Sequence, residues 1–255
     1  MLKVLQLPVL TDNYIYLLHD PVSKQTAVID PALAKPVLDA LHNNGWQLTT
    51  ILNTHHHADH VGGNLELKNI THCQIFGSAA DKDRIPGLDH GVNENDIINI
   101  GQHTAKVIST PGHTDHHIAF HFAKESWLFC GDTLFSMGCG RLFEGSAEQL
   151  WQSIQKFKLL PGDTQIYCTH EYTEANGRFA LTLEPNNPQL QQRMEQVAQL
   201  RAKNQPTIPT SLQLELETNP FLRESSLALQ QTIGMTQGTA TEIFAKVRQL
   251  KDTFR

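Results

Sequence analysis

The segment THHHADHVGG, residues 54–63, places four histidines and one aspartate directly after a short apolar run. His55, His57 and Asp59 are two positions apart, so an extended or looping backbone points them in one direction, whereas a helix would spread them around its axis. Imidazole and carboxylate groups suit zinc, iron and manganese. The segment therefore predicts a metal-binding loop, and its spacing differs from the helical i, i+4 spacing of HExxH.

Three further residues of metal-ligand type follow apolar runs elsewhere in the chain. His113 comes after AKVIS, Asp132 after SWLFCG and His170 after TQIYCT. In α/β proteins, strand ends and their loops are where sites assemble. The seven candidate ligands are His55, His57, Asp59, His60, His113, Asp132 and His170. A catalytic zinc ion takes about four ligands and keeps one position open. The candidates are therefore too many for one ion, and they predict a two-metal hydrolase site.

Composition and charge restrict the class of protein. The 255 residues are 40% hydrophobic, which suffices for one large domain or one domain with an appendage. The formal net charge is −6 and the Lys and Arg residues are dispersed, so a nucleic-acid partner is not expected. The four cysteines form no CxxC pair, which is typical of free thiols in a reducing compartment. No signal-peptide or membrane-span pattern occurs, so we expect a cytoplasmic, monomeric protein without a membrane partner.

The elements that must position these residues follow an α/β pattern. Strands are predicted for NYIYLL, TAVID, TTILN, CQIFG, AKVIS, HIAFHF, SWLFCG and TQIYCT, which are rich in Val, Ile and aromatic residues. Helices are predicted for KPVLDALHNNG, which ends at Gly45, and for AEQLWQSIQKFKLL. After about residue 170, helices are predicted for TEANGRFALTL, PQLQQRMEQVAQLRAKN and TATEIFAKVRQLKDTF. A helical appendage therefore follows the α/β region.

Motifs along nearly the whole chain resemble those of the hydroxyacylglutathione hydrolase (glyoxalase II) family within the metallo-β-lactamase superfamily. HxHxDH marks only the superfamily, whereas GCGRLFEG and VRQLKD make the resemblance specific. The resemblance implies an αββα sandwich over residues 1–168 and a helical substrate-binding domain over residues 169–255. It also implies hydrolysis of S-acylated glutathione, chiefly S-D-lactoylglutathione, to D-lactate and glutathione.

The resemblance also assigns metal ligands. The first ion is assigned to His55, His57 and His113. The second ion is assigned to Asp59, His60 and His170. Asp132 is the implied bridge, so that Asp59 and Asp132 serve catalysis together with a metal-bridging hydroxide. The implied cofactors are two divalent ions, zinc with iron or manganese as alternatives, and His56 is not among their ligands.

The positions that correspond to glutathione contacts are Arg141, Phe143, Tyr172, Arg248 and Lys251. On the last helix, Arg248 and Lys251 fall on one face with Phe244 and Arg255. Phe143 stands where the family pattern implies tyrosine, so we expect one hydroxyl contact to glutathione to be absent.

Two residues near the ligands have structural interpretations. His116 stands where the pattern implies glycine, and we expect the loop carrying His113 to differ slightly if positive φ is needed there. Asp30 in AVIDP is interpreted either as a residue that orients a ligand or as a turn-starting aspartate before Pro31.

Three other functions share parts of this pattern. A mononuclear-iron persulfide dioxygenase would bind one iron ion through two histidines and one carboxylate. A metal-dependent phosphodiesterase or ribonuclease should have a basic surface and lack the C-terminal cation pair. A non-catalytic metal-binding module would have closed sites that are inert toward thioesters.

Overall fold

The computed structural model describes residues 1–254, which form two compact units. The first unit contains Met1–Ser109 and His116–Gly131. The second contains Thr110–Asp115 and the chain from Asp132 onward. No helix among residues 1–254 is long and apolar enough to cross a membrane.

A mixed sheet of six strands forms the centre of the first unit. Its strands are β1 (Lys3–Val9), β2 (Asn13–His19), β3 (Gln25–Ile29), β4 (Gln47–Leu52), β5 (Gln74–Ser78) and β6 (His90–Val92). The β1–β2 and β2–β3 pairs are antiparallel, and the pairs from β3 to β6 are parallel. Parallel neighbours need crossover connections. The helices of this unit are α1 (Ala34–Asn44), α2 (Ala58–Val61) and α3 (Asn64–Thr71), and a 3-10 turn covers Ala79–Asp81.

Helix α1 covers one face of this sheet because its apolar residues recur at helical spacing. Val37 and Leu41 are buried in the same cluster as Ile51 of β4 and Ile75 of β5. Burying each such side chain contributes roughly 1.5–3 kcal/mol. The helix ends where Gly45 adopts a left-handed conformation with φ 64°, as the sequence predicts.

A second group of strands covers the other face of the mixed sheet. It contains β7 (Ile97–Ile100), β8 (His103–Ser109), β9 (Ile118–Phe122) and β10 (Trp127–Gly131), all antiparallel to their neighbours. Phe129 of β10 packs edge-on against Tyr16 of β2, with ring centroids 5.4 Å apart. Successive residues of a strand alternate between faces. Tyr16 therefore faces these strands, while its neighbour Leu17 belongs to the cluster under α1.

The second unit is mainly helical. Its strands are β11 (Leu134–Phe135), β12 (Gly138–Cys139), β13 (Gln165–Cys168) and β14 (Thr210–Ser211). Its helices are α4 (Ala147–Lys158), α5 (Thr173–Leu183), α6 (Pro188–Arg201), α7 (Leu212–Thr218), α8 (Leu227–Thr232) and α9 (Ala240–Thr253), with a 3-10 turn at Pro220–Leu222. Helix α4 begins with a capping box of Ser146 and Gln149, and α9 begins with one of Thr239 and Glu242.

All eight predicted strands and all five predicted helices are present. The sequence pattern does not predict β1, β6, β7 or the two-residue strands β11, β12 and β14. It also does not predict helices α2, α7 and α8. These strands and helices are short or mixed in composition, so their sequences show no clear hydrophobic periodicity. Contacts with neighbouring elements stabilise them.

A buried carboxylate secures the hairpin formed by β11 and β12. Glu215 of α7 is fully buried. It accepts hydrogen bonds from Ser136 Oγ at 3.0 Å and from Met137 N at 2.7 Å. It also accepts from Thr210 Oγ1 at 2.8 Å and from Asn219 Nδ2 at 3.0 Å. Burial raises the pKa of Glu215, and these four hydrogen bonds oppose that shift.

We predict that Glu215→Gln lowers the free energy of unfolding. The new amide nitrogen cannot accept hydrogen bonds, so two buried donors lose their acceptor at a cost of about 1–3 kcal/mol each. Urea denaturation measures the change. Glu217→Gln, two positions along the same helix and half-buried, is the matched control and should stay within about 0.5 kcal/mol of the wild type. Equal urea midpoints for the two variants would contradict the prediction.

Candidate functional site

The HxHxDH segment of the first unit is part extended chain and part helix. His57 has extended backbone, with φ −59° and ψ 145°, as predicted for a loop. The expectation of a loop throughout is wrong for Asp59 and His60, because Ala58–Val61 form the single helical turn α2. The turn is closed by the His60 N–H, which donates to His57 O at 2.9 Å.

Two glycines after this turn allow a close approach to the chain that follows β3. A Cβ at Gly62 would lie 2.5 Å from Ala32 O, and one at Gly63 would lie 2.7 Å from Pro31 O. Neither position has room for a side chain. The glycines therefore anchor the ligand segment against the backbone next to Asp30.

The four candidate ligands of the first unit lie together. His55 Nε2 is 2.9 Å from His57 Nδ1, and the rings of His55 and His60 have centroids 4.0 Å apart. His60 Nε2 is 3.8 Å from Asp59 Oδ2. His55 and His60 are fully buried. Three imidazoles and one carboxylate form a donor set that zinc, iron and manganese accept. All four residues belong to the His and Asp groups that could hold a metal ion.

Asp30 supports this cluster through hydrogen bonds. Its carboxylate accepts hydrogen bonds from Thr54 N at 2.8 Å and from Thr54 Oγ1 at 2.6 Å. The same group lies 3.0 Å from His60 Nδ1. Because an ionised carboxylate only accepts, the Nδ1 atom carries the proton and the Nε2 lone pair of His60 faces the other ligands. The geometry therefore favours the ligand-orienting interpretation of Asp30.

A second supporting residue has no signal in the sequence. Asn13, at the start of β2, donates through Nδ2 to Asp59 Oδ2 at 3.0 Å and to Asp59 O at 3.2 Å. It is 46 positions from Asp59 along the chain. Only the hairpin of β1 and β2 makes Asn13 recognisable as a partner of the ligand.

The histidines excluded from the ligand set have other neighbours. His56 Nδ1 lies 3.3 Å from Asp81 Oδ2, and His56 Nε2 lies 3.3 Å from Arg84 Nη1. His117 stacks on His55, with ring centroids 4.8 Å apart. These contacts fit structural roles for both residues.

The remaining three candidate ligands lie together in the second unit. Asp132 Oδ2 is 3.4 Å from Nε2 of His113 and 3.4 Å from Nε2 of His170. All three side chains are buried. His113 Nδ1 donates to Arg141 O at 2.8 Å, which leaves the Nε2 lone pair directed toward the carboxylate. Two imidazoles facing one carboxylate oxygen are a suitable environment for a cation.

A cavity of about 450 Å³ in the second unit is lined by His113 and Asp132 together with all five residues assigned to substrate binding. These five are Arg141, Phe143, Tyr172, Arg248 and Lys251. Arg255, expected on the same helix face as Arg248, lies outside the described residues. The cavity therefore combines metal-ligand residues with three cationic side chains.

Electrostatics and aromatic contacts shape this cavity. Burial, with Arg248 and Arg141 nearby, lowers the pKa of Lys251. The Tyr172 ring stacks on His170 at a centroid distance of 4.7 Å and an interplanar angle of 5°. Phe143 meets His113 edge-on at 5.2 Å. Phe143 is 63% exposed, so its ring is accessible to a ligand.

His116 does not impose the expected strain on the loop that carries His113. Among the described residues, those with positive φ include Gly112, at 145°, but not His116. A Cβ at Gly112 would also lie 2.5 Å from Leu150 Cβ. The glycine that this loop needs is therefore Gly112, and position 116 does not require the positive φ on which the expected difference depended.

Comparisons with known proteins agree with this geometry. Residues 10–170 match the metallo-beta-lactamase superfamily, and residues 171–254 match the family described as hydroxyacylglutathione hydrolase C-terminus. The hydroxyacylglutathione hydrolase of Methylococcus capsulatus is 52% identical over 255 residues, 100% of both chains. The chain belongs to the hydroxyacylglutathione hydrolase family. A relative of that name from Rhodospirillum rubrum is 53% identical over 253 residues and 99% of each chain.

Membership of this family confirms the predicted family and fold class. A crystal structure of a metallo-beta-lactamase from Staphylococcus aureus is similar, with a TM-score of 0.68 and 23% identity, over 98% of this chain and 71% of that chain. The fold is the α/β metallo-β-lactamase fold with mixed sheets, followed by the helical C-terminal domain of hydroxyacylglutathione hydrolases.

We predict that Asp30→Asn weakens metal binding about 10- to 100-fold. Thr54 N donates to one carboxylate oxygen, while Thr54 Oγ1 and His60 Nδ1 share the other, and an amide nitrogen in place of either oxygen cannot accept. Competition with a chromophoric chelator measures the affinity. Asp39→Asn removes an exposed carboxylate of α1 that pairs with Lys35, and it should bind metal as the wild type does. Unchanged affinity in Asp30→Asn would show that His60 needs no such support.

Proposed function

We propose that the chain hydrolyses S-D-lactoylglutathione and other S-2-hydroxyacylglutathiones, forming D-lactate or the corresponding acid together with glutathione. This reaction is the second step of methylglyoxal detoxification. The observation that carries the proposal is the cavity of the second unit, whose lining combines His113 and Asp132 with Arg141, Arg248 and Lys251. A thioester attached to an anionic peptide matches both kinds of residue. The name shared by the full-length relatives supports the same substrate class.

We further infer that two divalent ions bind, zinc with iron or manganese as alternatives. The proposed ligands are His55, His57 and His113 for one ion, Asp59, His60 and His170 for the other, and Asp132 for both. The donor set fits, because each of the seven residues offers a nitrogen or carboxylate oxygen suited to such ions. When bound, ions of this kind lower the pKa of water toward neutrality and polarise a carbonyl group.

The protein residues orient the reactants. Asp59, held by Asn13, and Asp132, flanked by two imidazoles, are the proposed catalytic carboxylates, and their oxygens orient the attacking water. The leaving group is a thiolate whose conjugate acid has a pKa of about 8.5. It therefore leaves without a proton from the protein, and no acidic side chain is required beside it.

Substrate binding is assigned to the remaining lining residues. The carboxylates of glutathione need cations, and Arg141, Arg248 and Lys251 offer them in a chain whose net charge is −6. Tyr172 offers a hydroxyl beside His170. Phe143 offers only a ring, because it lacks the hydroxyl that tyrosine would bring to this position.

We propose residues 1–168 as the catalytic domain and residues 169–255 as the helical substrate-binding domain, supported by the division between the two family matches. A cytoplasmic monomer remains our expectation. The buried free thiols of Cys73, Cys130, Cys139 and Cys168 support a reducing compartment.

Metal-loaded protein should consume S-D-lactoylglutathione, followed by the loss of thioester absorbance, and Asp132→Ala should lose bound metal and activity together. Asp163→Ala, at an exposed position of the second unit, is the control and should retain both. Full metal occupancy in Asp132→Ala would refute the shared-ligand role. Oxygen consumption with a persulfide, cleavage of a phosphodiester, or inertness toward every thioester would favour the three other functions instead.

The lowered pKa of Lys251 predicts a pH dependence of KM. Protonated Lys251 attracts the substrate carboxylates, so this attraction is complete below its pKa and disappears as the pH rises through it. Because burial and the nearby arginines lower that pKa, KM should rise at a lower pH than for an ordinary lysine. KM values between about pH 7 and pH 10, corrected for spontaneous hydrolysis, measure the effect.

Lys251→Arg is the matched variant for this measurement, because a guanidinium stays charged throughout the range. Its KM should remain flat where the wild-type KM rises. The same alkaline rise in both proteins would assign the titration to another group.

A further inference from the structure

Arg248 is buried more deeply than the other cations of the cavity. It is 4% exposed, whereas Lys251 is half-buried and the Arg141 side chain is 66% exposed. A buried guanidinium is unfavourable unless hydrogen bonds satisfy it. The hydrogen-bond partners of Arg248 therefore indicate its structural role.

Two of those partners are backbone carbonyls at the end of β12. Arg248 Nη1 donates to Cys139 O at 2.9 Å, and Gly140 O lies 3.4 Å from the same nitrogen. Arg248 Nη2 donates to Asp252 Oδ1 at 2.9 Å. The guanidinium also lies over the Phe221 ring, 5.2 Å from its centroid. Both terminal nitrogens thus have partners within the protein.

The segment held by Arg248 lies directly against two proposed metal ligands. A Cβ at Gly140 would lie 2.1 Å from Asp132 O and 3.0 Å from His113 Nδ1. The next residue, Arg141, accepts the hydrogen bond from His113 Nδ1 at 2.8 Å. A shift of this backbone would therefore move Arg141 O, the acceptor of the His113 Nδ1–H bond, and change the direction of the imidazole.

We propose that Arg248 is a positioning residue, which clamps the Cys139–Gly140 backbone so that Arg141 O keeps the His113 imidazole directed at Asp132. Arg248 has this role in addition to its charge in the cavity, whereas Lys251, one turn further along α9, is assigned to substrate binding. Arginine suits the clamp because its planar fork can reach two adjacent carbonyls and a carboxylate at once, whereas a lysine is a point charge. The proposal rests on the proposed function only in taking His113 and Asp132 as metal ligands.

The test is the rate at which a chromophoric chelator removes metal from the loaded, folded protein without substrate present. Arg248→Ala should release metal at least about 10-fold faster than the wild type, and Arg248→Lys should not restore slow release. Lys251→Ala should release metal at the wild-type rate while its KM rises. Lys246→Ala, on the same helix, is the control for removing a positive charge.

A second variant keeps the test decisive if Arg248→Ala fails to fold, which urea denaturation would reveal. Gly140→Ala leaves Arg248 in place but forces the segment away from Asp132 O, so it should also accelerate metal release. Wild-type release rates in Gly140→Ala and Arg248→Lys would overturn the proposal. Wild-type metal release from Arg248→Ala together with a raised KM would also overturn it, because that result leaves Arg248 with a substrate-binding role alone.

The kinetic split adds an independent readout. Arg248→Ala should lower kcat, whereas Lys251→Ala should act mainly on KM. If the metal-release rates follow the pattern above but no thioester is hydrolysed, the positioning role stands and the proposed function fails. If the wild-type chain holds no metal ion at all, the positioning role is overturned as well.

Discussion

The candidate site depends on one constraint: an imidazole that is to bind a metal ion through one nitrogen needs a hydrogen bond at its other nitrogen. His60 is held by Asp30, and His113 by the carbonyl of Arg141. His55 Nδ1 lies 3.1 Å from Thr54 Oγ1, and that hydroxyl donates in turn to Asp30. Each bond selects the tautomer of the ring as well as its direction. Much of the surrounding fold brings these partners into position.

Glycine residues make room for the hydrogen bonds that hold these imidazoles. Gly131 has φ 50°, and a Cβ there would lie 2.4 Å from Thr54 Oγ1. Gly140 has the same function in the second unit, beside His113 and Asp132. The space that a Cβ would fill is taken by the Thr54 and His117 side chains at Gly131, and by Asp132 O and the His113 side chain at Gly140. Only a glycine lets the main chain lie this close to Thr54 and to His113.

Two buried side chains of the second unit, Glu215 and Arg248, restrict the conformation of the β11–β12 hairpin. Glu215 accepts four hydrogen bonds, two of them from Ser136 and Met137 of the β11–β12 hairpin. Arg248 donates to Cys139 O at the end of the same hairpin. A buried ionisable group adds little net stability, but it tolerates few alternative arrangements of its partners. Two such groups thus hold one hairpin in a single conformation beside the cavity.

The sequence by itself determines the ligand types, their grouping after strands and the main helices, because these features depend on residues that are close along the chain. The spacing of His55, His57 and Asp59, the left-handed Gly45 and the capping boxes of α4 and α9 are all local. The tertiary structure alone decides which residues support the ligands. Asn13 is 46 positions from Asp59, and Arg248 is 109 positions from Cys139. No periodicity or motif links residues so far apart, because their contact exists only after the chain has buried its core.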